Sequence, residues 1–80
     1  MATQEYGKYI LISTPYHDLG VEGWVPLACI TWRERTEWRE HRLKYIPGIF
    51  DTAEAAIDFG FTVARAKIDS ETTKELKPND

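Results

Sequence analysis

The sequence predicts an α+β domain: a three-stranded antiparallel sheet in β-β-β-α order, packed on one face by a single C-terminal helix. Two patterns carry that expectation. Short β-branched and aromatic runs, separated by turn residues, fill the chain from Lys8 to Ile46, and an apolar stripe with helical period follows Phe50. The connections between the runs are too short for parallel crossovers, so the strands form a meander.

The first strand is expected over Lys8–Thr14, ended by Pro15 and apolar on both faces, as in a strand with neighbours on either side. Tyr16–Gly23, with its two glycines, is loop chemistry. The second strand is expected from Trp24 to Arg35, with Pro26 marking either an edge position or a delayed start. Ala28, Ile30 and Trp32 share one of its faces, and Leu27, Cys29 and Thr31 the other. A polar turn at Arg35–Glu37 leads to a third strand over Trp38–Ile46, with His41, Leu43 and Tyr45 on one side and Glu40, Arg42 and Lys44 on the other.

Asp51 followed by Glu54 has the spacing of a capping box, Phe50 sits where a hydrophobic staple begins, and Thr52 is an alternative cap. Ala53, Ile57, Gly60, Phe61, Ala64 and Ile68 then form the stripe that faces the sheet, with Asp58, Thr62, Arg65 and Asp69 opposite. Gly60 in that stripe implies close approach to a bulky strand residue such as a tryptophan. Residues 1–70 are expected to form one domain, and the polar segment 71–80, which contains Pro78, a flexible tail.

A chain of 80 residues buries only about 60 % of its unfolded surface, which disfavours a deep enclosed active site. A hydrophobic content of 42 % sets it apart from disordered chains. The single cysteine, Cys29, excludes an internal disulfide and, on a strand without a basic neighbour, reads as an inert apolar filler. His17 and His41 lack metal-ligand spacing. No metal, cofactor or enzymatic activity is expected. With neither a signal-peptide pattern nor a long apolar run, the reading is a cytoplasmic protein without a membrane span.

The aromatic residues exceed what one alanine-rich helix can cover. Trp24, Trp32, Trp38 and Tyr45, with Phe59 off the helix stripe, are therefore the candidate interaction surface, either for a homodimer or for a protein partner, through the uncovered sheet face or an edge strand. The alternative is weak single-stranded nucleic-acid binding through the hairpin 32–45, where Arg33, Arg35, Arg39, Arg42 and Lys44 are interleaved with Trp32 and Trp38. Glu34, Glu37 and Glu40 dilute that charge, and cross-strand Arg/Glu pairing is the simpler expectation. The overall charge of −3 also argues against a nucleic-acid partner.

Phe50, Thr52, Glu54 and Ala55, then Ala64, Arg65, Ile68 and Asp69, spell F-x-T-x-E-A followed by A-R-x-x-I-D, with Trp24 in the preceding hairpin. This pattern resembles a family of small uncharacterised bacterial proteins, a domain of unknown function, over roughly residues 8 to 70. The resemblance implies a bacterial origin and this fold, and no activity.

Overall fold

The computed structural model describes residues 1–17, 20, 22–43 and 46–71. Strands β1 (Ala2–Tyr6), β2 (Tyr9–Tyr16), β3 (Val25–Glu34) and β4 (Glu37–Leu43) precede helix α1 (Ala53–Ser70). The strands form one sheet in the order β1-β2-β3-β4, with every neighbouring pair antiparallel. The class is α+β with a meander and one C-terminal helix, but the sheet has four strands where three were expected.

The additional strand is β1, whose three middle residues, Thr3, Gln4 and Glu5, are exposed and carry no apolar alternation. Gly7 and Lys8 join it to β2 as a two-residue hairpin in which Tyr6 faces Tyr9. Gly7 has φ 62°, the backbone sign a tight primed turn needs at its first central residue. Two side-chain bonds also clasp β1 to the helix: Tyr6 donates its hydroxyl to Asp69 Oδ1 at 2.7 Å, and Arg65 Nη1 donates to Gln4 Oε1. Asp69 and Arg65, placed opposite the apolar stripe by periodicity, thus serve the outermost strand. The hydrogen bond to Asp69 also pushes the Tyr6 phenol above its ordinary pKa.

β2 and β3 are the central pair, with Leu11 opposite Ile30, Ser13 opposite Ala28 and Tyr9 opposite Trp32. Side chains alternate along a strand, so these six residues share one face, and α1 packs against it. Leu11, Ile30, Trp32, Phe61 and Ala64 are buried there, joined by Ile46 from the segment before the helix. Full burial of an aliphatic or aromatic side chain contributes about 1.5–3 kcal/mol, so these few contacts dominate the fold's stability. Pro26 lies in a central strand rather than at an edge. It stands directly opposite Pro15, at the end of the β2–β3 ladder beyond the paired lengths of β1 and β4. Two opposed prolines are tolerated where neither flanking strand needs their missing donor.

The helix is capped by Thr52, not Asp51. Thr52 has extended backbone (φ −129°, ψ 153°), and its Oγ1 accepts from Ala55 N at 3.1 Å. This places Ala55 where a box would need glutamate, and leaves Glu54 to favour the positive end of the helix by charge alone. Phe50 is likewise no staple. Its backbone bridges Trp24 through bonds of 2.7 and 2.9 Å, and its ring packs on Phe59 at 5.1 Å. The stripe holds at Gly60, Phe61 and Ala64, with Ile57 and Ile68 partly buried and Ala56 fully buried beside them. Gly60 does make a close approach, but to a small residue. A Cβ there would collide with Ser13 Oγ, which donates to Ile57 O at 2.9 Å. The expected tail lies, apart from the C-cap Glu71, outside the described residues.

Thr52→Ala should lower stability by about 1 kcal/mol in urea unfolding, and Asp51→Ala by much less. Gly60→Ala should destabilise by about 1–2 kcal/mol despite its better helix propensity, because overpacking outweighs it. In a double-mutant cycle, Ser13→Ala should recover part of that loss by removing the colliding oxygen.

Candidate interaction surface

The register that buries Leu11, Ser13, Ala28, Ile30 and Trp32 sends the intervening residues to the other face of the sheet. In the two central strands these are Ile10, Ile12 and Thr14 on β2, and Val25, Leu27, Cys29 and Thr31 on β3. No described element lies over this face, since α1 packs on the opposite one. Ile12 stands opposite Cys29, and Thr14 opposite Leu27. Leu27 is 42 % exposed, Tyr16 at one end of the face is 40 % exposed, and Trp38 on β4 is 59 % exposed. The outer strands supply a polar rim: Thr3 and Glu5 on β1, Glu40 and Arg42 on β4. An apolar centre inside a charged margin is the layout of protein interfaces.

Of the aromatic residues picked out in the sequence, only Trp38 is placed on this face among the described residues, at the hairpin end of β4 opposite Arg33. Trp32 is 2 % exposed and belongs to the core, because its parity places it under α1, edge-on to Tyr9. Trp24 is half-buried at the start of β3, with His17 edge-on to its ring at 5.3 Å. Phe59 packs on Phe50 and the core, covered by the segment that leads into the helix. Tyr45 lies outside the described residues. Sequence reasoning weighted the aromatics and passed over Ile10, Ile12 and Leu27, although strand alternation had already separated Leu27 from Ala28, Ile30 and Trp32.

The basic hairpin is divided between faces. Arg33 and Arg42 share the open face with Trp38, Arg39 points to the helix side opposite Trp32, and Arg35 sits in the turn at φ 61°. Lys44 is outside the described residues. Among the described residues the hairpin has ion pairs along β4, Arg39 to Glu37 at 3.3 Å and Arg42 to Glu40 at 3.0 Å. A buried Trp32 and an oppositely directed Trp38 give bases no common stacking platform.

Cys29 stands near the centre of this face, between Ile12 and Arg42. Partial burial pushes its thiol up to about 11, reinforced by the Glu40 carboxylate, to which Sγ donates at 3.6 Å. Among the described residues no group of His, Cys, Asp and Glu is placed to hold a metal, and no helix is long and apolar enough to cross a membrane.

The thiol has a measurable consequence. Moving its pKa from 9 to about 11 leaves roughly 100-fold less thiolate, so alkylation at pH 8 should be about that much slower than in urea, and Glu40→Gln should speed it. Because the folded state holds this proton more tightly than the unfolded one, stability should fall as pH rises from about 9 through about 11, less so in Cys29→Ala.

Compared with protein-family models, curated proteins and solved structures, the chain gives no match.

Proposed function

We propose that this chain is a small non-enzymatic interaction module that binds protein through the open face of its sheet. The observation that carries this reading is the apolar surface of β2 and β3, centred on Ile10, Ile12 and Leu27 and left uncovered by α1. Apolar area of this kind on a small domain marks an association site. The two sheet edges are poorer candidates. β1 is short, and β4 carries Glu37, Arg39, Glu40 and Arg42, the charges that blunt strand addition. A reducing bacterial cytoplasm is the setting that suits a lone thiol on the working face.

Sedimentation velocity of a fluorescently labelled chain tests the reading, at rising concentration of the pure chain and separately in clarified bacterial extract. The wild-type chain should sediment faster than a monomer in at least one condition, and Leu27→Lys and Trp38→Ser should return it to monomer speed while keeping their circular dichroism. Monomeric behaviour of the wild type in both conditions overturns it.

A further inference from the structure

Charge order along β4, set against the rows of the sheet, identifies the occupant of the open face. We infer that it is a second copy of this chain, packed face to face about a two-fold axis that crosses the strands between the row of Ile10 and the row of Ile12. This rests on the open face being an interaction surface, and narrows it to one partner.

The rows follow from the strand pairing. Glu5, Ile10, Thr31 and Glu40 lie side by side across the four strands, and Thr3, Ile12, Cys29 and Arg42 form the next row on the same face. A two-fold axis that turns this face onto itself must lie in the plane between the sheets. Set along the strands at the centre of the sheet, it brings β1 over β4 and places Glu5 on Glu40, two like charges. Set across the strands through either row, it places Arg42 on Arg42, or Glu40 on Glu40 and Glu5 on Glu5. Set across the strands midway between the rows, it lays Glu40 of each copy on Arg42 of the other, Ile10 on Ile12, and Thr31 on Cys29. Of these four placements only the last avoids like charges in these rows, and it forms the charge pair twice.

Both side chains reach solvent at this margin: Glu40 and Arg42 are 49 % and 72 % exposed and make a 3.0 Å pair within the chain. Thr31 and Cys29 are compact, so the two central layers can approach to the roughly 10 Å spacing of stacked sheets. Four strands about 4.8 Å apart and up to about eight residues long give a face of roughly 500 Å² in plan. Two copies then cover about 1,000 Å² before side-chain relief is counted, the lower bound for a specific interface.

Charge reversal tests the arrangement. Light scattering and sedimentation of the pure wild-type chain, from low micromolar to high micromolar, should show conversion from one chain to two. Glu40→Arg and Arg42→Glu should each weaken dimerisation at least about tenfold, because each leaves two like-charge contacts across the axis. The doubly exchanged chain, E40R with R42E, should return to within about threefold of wild type, since it keeps both the pairing across the axis and the pairing within the chain. Thermal unfolding at low concentration should be nearly the same for all four. A wild-type chain that stays monomeric when pure overturns the second copy as occupant, and if it still sediments faster in extract, the face retains a different protein partner. Dimerisation indifferent to the single reversals, or not restored by the double exchange, overturns this axis.

Discussion

The contact on which the arrangement depends is the seat of α1 on β2 at Gly60 and Ser13. A glycine on the helix and a serine on the strand bring the two backbones close, and the serine hydroxyl uses the proximity to bond Ile57 O. Once the helix is held there, Leu11, Ile30 and Trp32 lie beneath it and are lost to solvent. Strand alternation then leaves the next residues, Ile10, Ile12 and Leu27, on the face the helix cannot reach. A thin core and an apolar open surface are two results of one packing decision.

Both central strands are apolar on both faces, a pattern that ordinarily marks strands covered on each side. One helix covers one side. The unmatched apolar face is costly to leave in water for a chain of this size, which has little core to offset it. The same deficit explains the way β1 is held. With so few apolar residues of its own, β1 relies on the ladder to β2 and on polar clasps from Tyr6 to Asp69 and from Gln4 to Arg65.

The charged residues have a related division of labour. On β4 they stand two apart on each face, so pairs form along the strand and keep the edge polar, while Glu40 also accepts from Cys29 on β3. Seen from the open face, the same spacing creates an alternating rim, negative at Glu40 and positive at Arg42, that a two-fold partner can read in reverse. Cys29, beside both, remains a protonated thiol at neutral pH, consistent with a packing role in that surface.

Local chemistry by itself determined the four elements with strong periodicity, the parity that separates Ala28, Ile30 and Trp32 from Leu27, Cys29 and Thr31, and most of the helix stripe. Those features depend only on the repeat of a strand or a helix, which adjacent residues encode. The sequence also held the existence of an open face, through a surplus of apolar residues over what one helix can cover. Tertiary structure decided the rest. β1 has no apolar period because its middle residues face water, and its pairing becomes visible only beside β2. Thr52 prevails over Asp51 as the cap because the bridge between Trp24 and Phe50 sets where the chain turns into the helix. Trp32 and Trp38 look alike in sequence, yet one is core and the other surface, because helix docking makes the two sides of the sheet unequal and only packing selects which side is covered.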